Sequence, residues 1–100
     1  MLHTFTADTF RPRIGEEFRV VVDDRHYMPT RLADVTEWGA GPHAPEGSRT
    51  PFTLTFRAAP GMLVPQRIYP VLNENMPPCE MFLVPLGPDS DGMRYEAVFT

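Results

Sequence analysis

Lysine is absent from this 100-residue chain, whose nine basic residues are all arginines. A chain without lysine forms no lysine Schiff base and carries no P-loop lysine, which excludes several classes of enzyme. Its formal net charge is −4, so it also lacks the contiguous positive surface that binds phosphate backbones. We therefore predict that nucleic acid is not a partner.

Cysteine is almost absent as well. Cys79 is the only one, so the chain has neither an intramolecular disulfide nor a multi-cysteine zinc site. No run approaches the roughly 18 apolar residues of a membrane-spanning helix, and the first residues do not have the pattern of a secretion signal. These absences predict a cytoplasmic protein without a membrane partner.

The sequence also has few segments without proline or glycine that are long enough for a long helix. Twelve prolines and seven glycines divide the chain into short segments, and proline interrupts helices because it has no N–H and its ring clashes with the preceding turn. Hydrophobic residues make up 42% of the chain and charged residues 22%, the balance of an ordinary globular protein. The sequence therefore predicts one globular domain, residues 1–100, built from short elements.

The remaining segments are rich in β-branched and aromatic residues and predict six short strands. The clearest has Phe52, Leu54 and Phe56 toward the core and the alternate side chains toward water, as a period of two requires. The full set of predicted strands is 18–22, 32–38, 52–57, 68–72, 80–84 and 94–99. Imperfect alternation in the second indicates a bulge.

Two of these strands have special features. Pro70 restricts the fourth to a sheet edge or a bulge. The fifth, which Pro85 should end, is apolar on both faces and is therefore expected to be central or covered on each side.

Short strands joined mostly by brief turns predict an all-β, mostly antiparallel fold. A small barrel, a roll and a sandwich all satisfy this pattern, and the last two strands should form a hairpin. At most one short N-terminal helical turn precedes the strands, at Thr6–Phe10 with Thr6 as its N-cap. Residues 39–51 have no apolar period and are predicted to form a loop.

Candidate metal ligands are few. Asp89, Ser90, Asp91 and Gly92 resemble part of a calcium loop, but a strand follows where an EF-hand requires a helix. A hairpin turn in which the aspartates bond backbone amides explains the segment better. His3, His26 and His43 lack the spacing of paired metal ligands, so we expect neither a metal nor a cofactor.

Candidate nucleophiles are equally weak. Cys79 begins an apolar strand, where a lone cysteine is more often a small buried hydrophobe than a nucleophile. Ser48 and Ser90 lie in loops without the pattern of a nucleophile elbow. The expectation is therefore that the protein is not an enzyme, with no catalytic residues to name.

Four apolar residues outside the clear strands are candidates for binding a partner. Met62, Leu63 and Val64 occupy a predicted loop and either fold over the end of the sheet as a lid or form an exposed patch. Trp38, beside the long loop, either plugs the end of the sheet or anchors an interface.

Residues 82–99, FLVPLGPDSDGMRYEAVF, resemble the end of a family of small bacterial proteins known only as a domain of unknown function. Residues 52–57 and 65–69 resemble the same family, and residues 10–12 and 14–16 are similar to its opening segment. The resemblance implies no activity and no catalytic residues. Members of that family are often encoded beside phage-tail-collar-like proteins, so the resemblance implies at most an accessory or structural role.

From these observations we predict a non-enzymatic protein-interaction or assembly module. It would present a sheet edge and apolar loops to a protein partner or to a second copy of itself. The alternative is a small-ligand-binding barrel with an aromatic interior. A small hydrolase comes third.

Overall fold

A computed structural model describes residues 5–38 and 50–99. It contains helix α1 (Ala7–Phe10), a 3-10 turn at Arg11–Arg13, and strands β1 (Glu17–Val21), β2 (Tyr27–Glu37), β3 (Phe52–Ala58), β4 (Arg67–Asn73), β5 (Met76–Asp89) and β6 (Gly92–Phe99). The strands form a closed antiparallel barrel in the order β1-β2-β3-β6-β5-β4. The all-β class and the N-terminal helical turn are confirmed, and of the three architectures the barrel is the one observed.

The barrel interior is filled by alternate side chains of all six strands. Phe52, Leu54 and Phe56 of β3 are fully buried, as their alternation predicts. The ring of Phe56 meets Phe18 edge to face at 5.4 Å between centroids. The other buried apolar residues of the strands are Val20, Met28, Leu32, Ala58, Tyr69, Val71, Met81, Leu83, Met93, Tyr95 and Ala97. Side chains therefore fill this barrel as they fill other small barrels.

Helix α1 closes one end of the barrel. Four residues are too few for a stable isolated helix, so tertiary packing must hold it in place. Phe10 provides that packing: it is fully buried, and its ring centroid lies 5.8 Å from that of Phe52 and 5.7 Å from that of Phe99. Arg11 bonds both Asp8 and Glu37, which links the helix to the end of β2.

Three details of the strand predictions need correction or confirmation. β5 runs through Pro85 to Asp89, so the prediction that Pro85 ends it is wrong; a register shift between Pro85 and Gly87 accommodates the ring. The bulge expected in β2 is confirmed between Leu32 and Asp34. The hairpin of the last two strands is also confirmed.

The free sheet edge that the interaction hypothesis invoked is not observed. Closure of the ring gives each strand in the described parts of the chain two neighbours, so a partner cannot simply add a strand to a free edge. Residues 39–49 of the predicted loop lie outside the described residues, as do His3, His43 and Ser48. No helix in the ranges 5–38 and 50–99 is long and apolar enough to cross a membrane.

The barrel closes between β1 and β4 through a short ladder, which we call the closing seam. It consists of two residue pairs, Arg19 with Leu72 and Val20 with Val71, whereas the ladder of β2 with β3 has seven. Side chains reinforce it. Asn73 Nδ2 donates to Glu16 Oε1 at 3.1 Å, and Asn75 Nδ2 donates to the same oxygen at 3.1 Å. Glu16 therefore ties the turn after β4 to the segment before β1.

The hydrogen bond from Asn73, followed by that from Asn75, holds the pKa of Glu16 below its ordinary value. A carboxylate with a depressed pKa stabilises the fold above its unfolded pKa, about 4.3, and that contribution is lost as the pH falls through the folded value. We therefore predict that Glu16→Gln lowers the urea midpoint at pH 7. The difference in urea midpoint between Glu16→Gln and wild type should decrease as the pH approaches 3.

A matched control for this prediction is Glu17→Gln, which removes the neighbouring carboxylate but keeps both asparagine bonds to Glu16. Urea unfolding of the three proteins at pH 7, 5 and 3, followed by circular dichroism, gives the comparison. A gap between Glu16→Gln and wild type that is equal at all three pH values would contradict the role assigned to Glu16.

Candidate interaction surface

The four predicted partner-binding residues lie at opposite ends of the barrel. Trp38 follows β2 at the end that α1 closes, and its backbone N–H donates to Pro51 O at 2.8 Å, just before β3. Met62, Leu63 and Val64 follow the other end of β3, where the Met62 N–H donates to Ala59 O at 3.1 Å. The structure therefore does not bring Trp38 together with the loop.

The loop combines the two arrangements considered for it. The hydroxyl of Tyr95 donates to Met62 O at 2.6 Å and accepts from the Val64 N–H at 2.9 Å, which fixes the backbone over the end of the barrel. Val64 is half-buried and packs against the core. Leu63 points outward and is 67% exposed. Met62 is 37% exposed. Part of the loop is thus a lid, and two of its side chains face solvent.

Trp38 is fixed on the outer surface of β3. Its indole N–H donates to Thr53 Oγ1 at 2.6 Å, and the indole remains 53% exposed. Thr53, which alternation predicts to face water, is buried. Trp38 therefore presents a half-exposed aromatic surface whose polar atom is already satisfied, and it does not plug the barrel.

Three further apolar residues lie on the outer surface and align with Trp38. Ile68 is paired with Phe82, and Val98 is paired with Thr53, which bonds Trp38. Because the inward residues Leu83 and Ala97 are paired, Phe82 lies opposite Val98 on the adjoining strand. Ile68, Phe82 and Val98 are 57%, 47% and 45% exposed. We call these three residues and Trp38 the outer apolar row.

The sequence carried one signal for this row. β5 is apolar on both faces, and we expected its second face to be covered; Phe82 shows that the described residues leave it nearly half exposed. Ile68 and Val98 are missed because each sits one position out of phase with a buried neighbour, Tyr69 and Ala97. Their alignment with Phe82 depends on strand register, which pattern alone does not give.

Carboxylates border the outer apolar row. Side chains two residues apart on a strand share a face and lie about 7 Å apart. By this spacing Glu80 lies beside Phe82 on β5, and Glu96 lies beside Val98 on β6. A third carboxylate, Asp34 of β2, is paired with Thr55 on the same outer surface. The next basic residues on this surface are Arg31, Arg57 and Arg94, of which Arg57 and Arg94 contact Asp89, at 2.5 and 3.5 Å.

The candidate metal ligands and the candidate nucleophile have structural contacts in the barrel. Asp89 Oδ1 accepts from the Asp91 N–H at 2.8 Å, which confirms the hairpin-turn interpretation, and the bond from Arg57 lowers the pKa of Asp89.

Burial raises the pKa of the half-buried Cys79 thiol, which disfavours the nucleophilic thiolate. His26 Nδ1 lies 2.8 Å from Asp23 Oδ1. No metal-binding group of His, Cys, Asp and Glu occurs within residues 5–38 and 50–99.

Two clefts lie on the outside of the barrel rather than in its interior. One, of about 210 Å³, is lined mainly by the turn between β1 and β2, including Asp23 and His26. The other, of about 250 Å³, is lined by Glu17, Arg31 and Arg57 among others. The first also has Val21, Tyr27 and Leu72 in its wall. Neither cleft enters the aromatic interior that the ligand-binding alternative invoked, because buried side chains fill it.

Comparison with known proteins adds a family. A family model described as Domain of unknown function (DUF6916) matches residues 5–99, which include α1 and all six strands. No curated protein and no solved structure matches the chain.

Proposed function

The chain belongs to the family described as Domain of unknown function (DUF6916), and we propose, from the surface of its barrel, that it is a non-enzymatic protein-interaction module. The observation that carries the proposal is the outer apolar row, Ile68, Phe82, Val98 and Trp38, which stays about half exposed. Exposed apolar patches rimmed by polar residues mark interaction sites in soluble proteins. An accessory role in a phage-tail-like assembly is one setting that this proposal includes.

The size of the row supports a protein as its occupant. At about half exposure these four side chains present roughly 350 Å² of surface, given the 150–250 Å² of a large aromatic. That area is within the range of the largest patches on monomers and is close to half of one side of a standard interface, about 800 Å². The row would thus form the apolar core of an interface, with the carboxylates at its rim.

The row is also rigid, which favours binding. Ile68, Phe82 and Val98 lie on hydrogen-bonded strands of a closed barrel, and Trp38, which follows β2, is fixed by its bond to Thr53. A pre-organised surface loses less conformational entropy when a partner binds. Aromatic side chains held in this way are the usual anchors of interfaces. The filled interior supports this proposal over a ligand-binding barrel.

The test is to replace Phe82 at the centre of the row. Phe82→Ser should weaken capture of a protein partner from extracts of the source cells by at least about tenfold, as expected for an aromatic anchor. Leu63→Ser is the matched control, because Leu63 is also a large apolar residue, is more exposed (67% against 47%) and lies outside the outer apolar row. The captured protein is identified, purified and titrated against all three chains.

Both variants replace exposed side chains, so circular dichroism and thermal unfolding should show wild-type folding. Loss of binding in Leu63→Ser with full binding in Phe82→Ser would transfer the site to the Met62–Val64 loop. Equal binding by all three chains would count against either surface.

A further inference from the structure

We infer that the partner of the outer apolar row presents an apolar strip bordered by lysine or arginine side chains. This inference rests on the proposed function and concerns the chemistry of the partner. It starts from the charges beside the row. Glu80 and Glu96 are two residues from Phe82 and Val98, and because β5 and β6 are antiparallel they lie on opposite sides of the row.

These carboxylates are not neutralised by the barrel itself. Neither Glu80 nor Glu96 has an ion-pair partner within the described ranges. Asp34 accepts a hydrogen bond from the Thr36 hydroxyl at 3.0 Å, which leaves its charge in place. All three flanking acids therefore contribute negative potential to the rim of the row.

The nearest arginines on this surface do not cancel that potential. Arg57 donates to Asp89 Oδ2 at 2.5 Å, and Arg94 Nε lies 3.5 Å from the same oxygen. Asp91 lies 4.0 Å from Arg57, so the two arginines are matched by two aspartates. Arg31 lies opposite Arg57 in the β2–β3 ladder and opposite Glu17 in the β1–β2 ladder, so a carboxylate accompanies it as well. The positions immediately beside the row are therefore acidic, and the arginines lie one step farther away.

The same charges argue against a second copy of this chain as the occupant. A dimer with two-fold symmetry would place identical surfaces face to face. Because Glu80 and Glu96 flank the row on its two sides, such a dimer would bring the acidic borders of one copy toward those of the other. Like charges across an interface are unfavourable, whereas basic side chains on a different protein would form rim ion pairs.

Rim ion pairs of this kind set orientation and association rate more than affinity. Exposed pairs contribute about 0.2–1 kcal/mol each, so two of them correspond to about 2- to 30-fold in affinity at low salt. That range is large enough to measure, and its dependence on salt distinguishes it from the loss of the apolar anchor.

The experiment uses a phage-displayed library of random 12-residue peptides, selected on the wild-type barrel and counter-selected on Phe82→Ser. We expect the enriched peptides to intersperse apolar residues with lysine and arginine, above their frequency in the unselected library. Trp38 is the only tryptophan and lies in the row, so its fluorescence reports binding of the synthesised tryptophan-free peptides directly.

The charge is then tested on the barrel. The double variant Glu80→Gln, Glu96→Gln should bind these peptides about 2- to 30-fold more weakly at low ionic strength, and the difference should shrink in 0.5 M salt. The matched control is Glu17→Gln, Glu74→Gln, which removes two carboxylates beside the closing seam and should bind like wild type.

The outcomes separate the two levels of the proposal. Enriched peptides no more basic than the library, or equal affinity for wild type and the Glu80, Glu96 double variant, would overturn the charge inference and leave the interaction site standing. If no peptide distinguishes wild type from Phe82→Ser, the interaction site itself fails. Sedimentation showing a dimer that Phe82→Ser dissociates would assign the row to a second copy and overturn the basic partner.

Discussion

Replacing Gly92 with alanine should remove about 3–5 kcal/mol of the free energy of unfolding, enough to unfold much of a small domain. Gly92 begins β6 with φ +131°, and a Cβ there would overlap the carbonyl oxygen of Ala58 and sit 3.5 Å from Pro60 N. Both contacts are to backbone, which has no alternative rotamer. Relief would require the β3–β6 ladder, in which Ala58 pairs with Met93, to separate.

Gly87→Ala is the control that separates overlap from backbone strain. Gly87 also has a positive φ, +98°, yet nothing lies within 4 Å of its Cβ position. We expect Gly87→Ala to lower the free energy of unfolding by only about 1–2 kcal/mol, which is the strain of a positive φ. Guanidinium unfolding of both variants measures the difference. Equal losses of stability in the two variants would show that overlap with Ala58 does not destabilise Gly92→Ala. A Gly92→Ala protein that does not refold, beside a Gly87→Ala protein that does, would support the overlap.

Replacing Phe10 with alanine should lower the free energy of unfolding of the wild-type protein by about 3–5 kcal/mol, as for other fully buried aromatics. Phe10 packs on Phe18, Phe52 and Phe99 and is the residue through which α1 closes the barrel. Its loss leaves a cavity at that end and removes the contact that holds a four-residue helix. Hydrogen exchange should therefore show loss of protection first for the backbone amides of α1 and the following 3-10 turn.

The conservative variant Phe10→Leu keeps most of the buried volume and should cost less than about 1.5 kcal/mol. Protection of the α1 amides that is unchanged in Phe10→Ala would contradict the claim that this one ring holds the helix. A loss of similar size in both variants would point to the shape of the ring rather than to its volume.

The strand predictions succeeded where a single residue pattern decides the structure. In β3 the alternation of Phe52, Leu54 and Phe56 determines which face is buried, because one face of each strand contacts the core. The extension of β5 through Pro85 was missed, since a proline is tolerated wherever its missing N–H is not required by a neighbouring strand. That depends on the register of β5 with β6, which is a non-local property.

The surface was harder to predict than the core for the same reason. An exposed apolar residue is unremarkable alone, and the alignment of Phe82 with Ile68 arises only when β4 and β5 pair. The prediction named Trp38, which belongs to the row, together with Met62, Leu63 and Val64, which lie at the other end. Whether any of these four residues binds a partner stays a prediction until the capture experiment is done.

The closing seam determines what the barrel becomes if it opens. Separation of β1 from β4 leaves the other five ladders intact and converts the ring into an open sheet whose new borders are those two strands. Such borders commonly template aggregation. Here β4 carries Pro70, which offers no N–H, and β1 carries Glu17 and Arg19 on its outer face. Opening at this shortest ladder would therefore expose strands that are poorly suited to amyloid-like growth.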